Sequence, residues 1–235
     1  MTNILRGEES PRGSSGEEQA ILLAQRETHW NLQYGETGEL PPPTQFAAFM
    51  SQEINKTSSI IEFGCGSGRD SIFFAQQGFR VIGIDASASA VQLCRTHAER
   101  LHLGSAMFIN ASINTAFESS CITNIIHAWG NPHVVVYSRF FLHAITDEEE
   151  SCFLGIASDI CRNGGLLVCE FRTPRDRLLI KSTAKHYRRF VNPSAFCAKA
   201  LGYSFEARYA VEGFGYAKYR NDDAYVCRLI LSSDS

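Results

Sequence analysis

From residue 58 onward, short apolar runs alternate with stretches whose apolar residues recur every three or four positions. The runs at 58–64, 80–85, 106–110, 133–138 and 166–171 are of strand length and rich in Ile, Val, Leu and Phe. Helical patterns lie between them. One spans 68–77 and stops at Gly78. Ser87 is placed to cap a second, with Val91, Cys94, Ala98 and Leu101 on one face. In a third, Thr146 and Glu149 have capping-box spacing, and Asp147 and Glu148 complement the positive helix start. Cys152, Phe153, Ile156 and Ile160 supply its apolar face, and Gly164 and Gly165 end it. Pro193 opens a helix to about Leu201. Two longer strand patterns, 203–212 and 224–231, close the chain, with 213–223 as their connection.

Strand and helix alternation predicts a parallel sheet built from βαβ units. The last two strands have no helix between them, so that pair is expected to be antiparallel. The fold class is therefore α/β: a Rossmann-like, doubly wound, mostly parallel seven-stranded sheet with an antiparallel closing strand. Ahead of it, 17–34 reads as helical and 35–43 as a turn-rich loop. Thr44 caps a helix to about Asn55, with Phe46, Met50 and Ile54 on one face. This divides the chain into a helical extension or lid (17–55) and a main domain (56–235). Residues 1–16, polar and rich in Gly, Ser and Glu, read as a disordered tail.

Composition narrows the function. A formal net charge of −3 over 235 residues does not suit an extended nucleic-acid footprint. No apolar run approaches the ~20 residues of a membrane span, and the start lacks a secretory apolar core. The eight cysteines include no C-x-x-C pair, so they read as reduced thiols of a cytoplasmic protein, and no metal site is expected.

The sharpest motif joins the first strand to its helix: Glu62, Gly64, Cys65, Gly66, Ser67 and Gly68, followed by Asp70. Glycines here let backbone approach a ligand, and the helix start offers free N–H groups. Asp85, twenty-one residues after Gly64, ends the second strand, where a carboxylate can take both hydroxyls of a ribose. A dinucleotide fingerprint needs a third glycine at 69, which is Arg69, and the lysine of a phosphate loop is absent.

The string E-x-G-x-G-x-G at Glu62–Gly68 resembles motif I of class I methyltransferases dependent on S-adenosylmethionine. The resemblance covers about residues 44–231. It implies that this cofactor lies with its methionine portion beside the glycine loop and its ribose on Asp85, next to Ala86. It implies that Asn110 and Ala111, ending the third strand, face adenine. On the residues alone, Asn110 equally serves to cap its loop. Ser138 ends the fourth strand, below the transferred methyl. The segment 137–145 also resembles a subgroup associated with bacterial polysaccharide and glycoconjugate synthesis, as do 41–50, 186–190 and 219–230. That implies O-methylation of a small-molecule or glycoconjugate acceptor. N- or S-methylation and a non-catalytic cofactor-binding subunit stay open.

Methyl transfer asks for alignment and desolvation. A hydroxyl acceptor also needs a base, for which His143, just past the fourth strand, is the candidate, or else it is a structural histidine. Arg139 suits the methionine carboxylate or an acidic acceptor, or else a structural ion pair. His97 and His102 are expected on the surface. For the acceptor, Trp30 and Tyr34 offer an aromatic cover, and Glu170 and Arg172 with His186, Tyr187, Arg188 and Arg189 a polar rim. Core packing and a basic surface turn are the alternatives.

Overall fold

The apolar runs become strands because β-branched and aromatic side chains alternate across a sheet buried on both faces. The computed structural model describes residues 16–34, 40–113, 120–130, 133–179, 186–219 and 222–233. The strands are β1 (Ser59–Phe63), β2 (Arg80–Asp85), β3 (Ala106–Asn110), β4 (Val134–Arg139), β5 (Leu166–Arg172), β6 (Phe205–Tyr219) and β7 (Asp222–Ser233). They form one sheet in the order β3-β2-β1-β4-β5-β7-β6. β7 runs antiparallel to both neighbours and the other pairings are parallel.

The helices are α1 (Gly16–Ala24), α2 (Arg26–Tyr34), α3 (Gln45–Glu53), α4 (Arg69–Gln76), α5 (Ala88–Arg100), α6 (Ser120–Ala128), α7 (Asp147–Cys161) and α8 (Pro193–Leu201). On one sheet face Ile60, Val81, Val135, Tyr137 and Val168 pack with Phe46 and Met50 of α3 and Phe74 of α4. On the other, Ile61, Phe63, Val136 and Leu167 pack with Phe153, Leu154 and Ala157 of α7 and Phe196 of α8. The Thr146–Glu149 capping box forms, and Thr44, Ser87 and Asn192 cap their helices through side-chain oxygens.

Four expectations are corrected. The helical stretch 17–34 is two helices, broken at Gln25. The segment 213–223 is not a separate connection: β6 runs on to Tyr219 and β7 starts at Asp222, so the hairpin outreaches β5. Segment 120–128, too short to stand out by periodicity, is helical. His97 is buried under α5 rather than on the surface, and Leu101 is an exposed cap residue. Residues 1–15 of the expected tail and 35–39 of the expected loop lie outside the described residues. Among the described residues, no helix is long and apolar enough to cross a membrane.

Candidate functional site

Strand order reverses between β1 and β4, so connections leave their C-terminal ends in opposite directions and open a cleft there. Phe63 pairs with Ser138, which makes Gly64 and Arg139 the first residues of its two lips. The cleft has a volume of about 530 Å³, and its lining includes Trp30 of α2 and Tyr219 of the β6–β7 hairpin.

The first lip is the glycine loop. Gly64, Gly66 and Gly68 have φ of +73°, +52° and +80°. A Cβ on Gly64 would lie 2.7 Å from the Phe141 ring, and one on Gly68 would lie 2.8 Å from Cys94 Sγ. Side chains are thus excluded by conformation and by space. The loop folds over the end of β2: the Gly64 and Cys65 amides donate to Ile84 O at 2.9 and 3.1 Å. Asp85 accepts the Gly66 amide on Oδ2 and the Ser87 amide on Oδ1, each at 2.8 Å. Burial raises its pKa and those two amides oppose the rise. Each oxygen keeps acceptor capacity towards the cleft.

Asn110 uses its amide nitrogen on the carbonyls of Asp85 and Ala86, at 3.0 and 2.9 Å. It fastens the loop after β2, while its neighbours Ala111 and Ser112 line the cleft.

The floor is acidic and buried. Asp70 accepts the Thr44 amide and hydroxyl at 2.9 and 2.8 Å and the Tyr137 hydroxyl at 2.8 Å, tying α3 and α4 to β4. Glu62 accepts the Ser71 hydroxyl at 2.5 Å. Burial, then the charge on Asp70, push the Glu62 carboxyl well above the usual range.

The second lip is basic. Arg139 Nε donates to Glu170 at 2.8 Å; burial opposes the charged guanidinium, and Glu170, Asp70 and Tyr137 together outweigh burial and raise its pKa. Arg172 bonds Asp176 at 2.7 Å and Asp222 at 3.3 Å. Phe140, with φ of 55°, places its ring 4.1 Å from the Arg139 guanidinium and 5.1 Å from that of Arg172. His143 is buried, and its Nδ1 has no hydrogen-bond partner among the described residues. Burial first, then Arg172, Arg188, His186 and Arg139, hold its pKa well below the ordinary value.

α2 covers this end. Arg26 bonds both Glu149 oxygens at 2.6 Å and Ala144 O at 3.0 Å. Asn31 takes the Ser87 hydroxyl at 2.7 Å, and the Trp30 ring meets His186 edge-on at 5.3 Å.

Of the residues named from sequence, Glu62, Gly64, Cys65, Gly66, Ser67, Asp70, Asp85, Ala86, Ala111, Arg139, His143, Arg172 and Trp30 line the cleft. Six others do not. Ser138 is buried in β4, Gly68 turns behind the loop against Cys94, and Asn110 holds the loop. Glu170 stands behind Arg139. Arg189 is clasped by Asp147 and Glu150 of α7, and Tyr187 is half-buried away from the cleft. The side chain of Tyr34 lies outside the described residues. His186 and Arg188 of the expected rim also line the cleft, whereas sequence reading missed Arg26, Arg69, Phe140, Lys218, Tyr219 and Asp222. The segments 41–50, 186–190 and 219–230, far apart in the chain, do meet here through Pro41, His186 and Asp222.

Residues 54–208 match the family described as a methyltransferase domain. The chain belongs to that family. A curated relative, a ribosomal protein L11 methyltransferase from Cupriavidus taiwanensis, is 28% identical over 91 residues. That match covers 38% of this chain and only 31% of the relative. Among solved structures, a methyltransferase from Anabaena variabilis dependent on S-adenosylmethionine superposes with a TM-score of 0.67 at 17% identity, covering 91% of this chain and 95% of that one. Magnesium protoporphyrin IX methyltransferase from Synechocystis, with bound S-adenosylmethionine, gives 0.60 at 14% identity over 95% and 100%. The [4+2]-cyclase SpnF gives 0.64 at 10% over 92% and 96%. These likenesses establish the Rossmann-like methyltransferase fold.

Proposed function

We propose that this methyltransferase-family chain binds S-adenosylmethionine in the cleft and transfers its methyl to an oxygen of a small acceptor, sugar-containing or otherwise. The observation that carries the reading is Asp85 beside the glycine loop: a half-buried carboxylate with free lone pairs, facing backbone that excludes side chains. Such a pair fits a ribose and the chain attached to it. Buried Glu62 fits the cationic end of the same ligand, because a positive charge favours the ionised carboxylate that its burial opposes. Ala86, Ala111 and Ser112 give the adenine side a wall, with Asn110 as its brace.

The bound cofactor supplies an electrophilic methyl on a sulfonium. The chain's task is to hold cofactor and acceptor in line and keep water out. Arg139 and His143 are the residues at the reacting end, and α2 with Trp30 serves as its cover. Titration calorimetry with S-adenosylhomocysteine tests the reading. One site with Kd near 1 μM, about −8 kcal/mol, is expected. Binding of NADH or ATP in its place overturns it.

A further inference from the structure

Two guanidiniums share one carboxylate under the second lip. Glu170 accepts Arg139 Nε on one oxygen at 2.8 Å and Arg228 Nε on the other at 2.7 Å. Glu170 and Arg228 are buried, and the Arg139 side chain is 13% exposed. The triad by itself carries one net positive charge, and the Asp70 carboxylate also acts on Arg139. Arg228 directs a terminal nitrogen to Tyr216 O. Arg139 uses Nε on Glu170, and the terminal N–H groups of its fork remain for a ligand in the cleft that it lines. The fork of the neighbouring Arg172 is already taken up by Asp176 and Asp222, whereas the terminal N–H groups of Arg139 are not spent on a carboxylate.

His143 decides between acceptor chemistries. A base for a neutral hydroxyl must end as imidazolium. Here the ring sits among Arg139, Arg172, Arg188 and His186, which all oppose a further positive charge. Deprotonating an alcohol is what this lip does worst, and holding an anion is what it does best. We propose that the acceptor is a carboxylate, held by the terminal N–H groups of Arg139 and methylated on its own oxygen to give an ester. This rests on the methyltransferase reading above.

Asp70, Asp176 and Asp222 stand at this lip beside the guanidiniums, so a singly charged carboxylate suits it better than a phosphate monoester, which carries about −1.5 to −2 at neutral pH. A carboxylate also fits the guanidinium fork. Its body would meet the rings of Trp30, Phe140 and Tyr219. In the reaction, the acceptor oxygen forms a bond to the methyl carbon as the carbon–sulfur bond breaks. That electron pair stays on sulfur, which becomes a neutral thioether, and the carboxylate becomes a neutral ester. No proton moves, so no base is needed.

The test titrates the chain, saturated with S-adenosylhomocysteine, with glucuronate and 4-hydroxybenzoate and with the matching neutral amides. Each acid also carries a hydroxyl. At least one acid is expected to bind about tenfold or more tighter than its amide, and Arg139→Gln to erase that preference. Arg139→Lys should keep part of it. Equal binding of acids and amides, or binding of none, overturns the proposal. So does an Arg139→Gln protein that loses affinity for S-adenosylhomocysteine but not for 5′-methylthioadenosine, because Arg139 would then hold the cofactor's own carboxylate. With a probe that turns over, the methyl should leave as methanol in alkali, and an alkali-stable ether overturns the proposal. If the unaltered chain does not bind S-adenosylhomocysteine at all, the methyltransferase reading fails first.

Discussion

Asp85 accepts the Gly66 backbone amide at 2.8 Å, so the carboxylate that ends β2 also sets the glycine loop that follows β1. One side chain therefore shapes the loop and lines the cleft. Asp85→Ala is expected to weaken S-adenosylhomocysteine binding by about 1–3 kcal/mol through lost charge-assisted hydrogen bonds. Asp85→Asn should lose less, since its amide oxygen can still accept one of the two backbone N–H groups. Calorimetry on the two variants checks the order, and equal affinity in all three proteins would remove Asp85 from the ligand.

Gly64→Ala tests the loop from its other end. The residue has φ of +73°, and the new Cβ would meet the Phe141 ring at 2.7 Å. Left-handed backbone costs an L-residue about 1–2 kcal/mol before any clash. Thermal unfolding should shift down accordingly, and ligand affinity should fall as Phe141 and the loop move apart. A variant as stable as the parent would mean that the loop relaxes freely.

Much of this was legible in the sequence. The strands at 80–85 and 106–110 keep their bounds because each is a dense apolar run closed by turn residues. The glycine loop and Asp85 were legible because backbone geometry restricts the residue types that can stand there. The second lip was legible only in part: Arg139, His143, Arg172 and Arg188 were named, but Phe140 and Asp222 were not. These residues come from parts of the chain that lie far apart, and the sheet order brings β4, β5 and β7 together. Phe140 carries no sequence sign of its positive φ, which is rare for a bulky residue. The hairpin residues Lys218 and Tyr219 were obscured because Gly213 and Gly215 read as a turn, whereas the strand passes through them with a register shift.

Arg26 and Glu149 connect α2 to the start of α7. Arg26 meets both carboxylate oxygens at 2.6 Å, and Glu149 is also the capping-box residue of α7. Arg26→Gln is expected to speed hydrogen exchange across 26–34 while leaving β1 and β4 protected. Dissociation of S-adenosylhomocysteine should quicken about 2–5-fold, in keeping with an ion pair worth up to ~1 kcal/mol. If exchange in α2 is unchanged, Asn31 on Ser87 and the ring contacts of His29 and Trp30 hold the cover without Arg26.

The depressed pKa of His143 gives the molecule an acid limit. In the unfolded chain a histidine gains its proton near pH 6.5. In the fold, burial and then Arg172, Arg188, His186 and Arg139 keep the ring neutral well below that. Below pH 6.5 the unfolded state therefore holds more protons than the native state, and stability falls as pH falls. The slope reaches about 1.4 kcal/mol per pH unit for one such group, and it levels off once the folded pKa is passed. His29, lowered by burial and Arg188, acts in the same sense. Asp85 and Glu62, both raised, act in the opposite sense, with windows opening from the ordinary carboxylate range upward. Subtracting a His143→Gln profile from the parent isolates the histidine. The difference should be flat above pH 7 and should steepen between pH 6.5 and 5. A bound carboxylate probe should flatten it, because an anion beside Arg139 offsets the charges that hold His143 neutral. A flat difference throughout, without ligand, would mean that His143 takes up its proton freely in the folded protein, and the second lip would not have the electrostatic character ascribed to it.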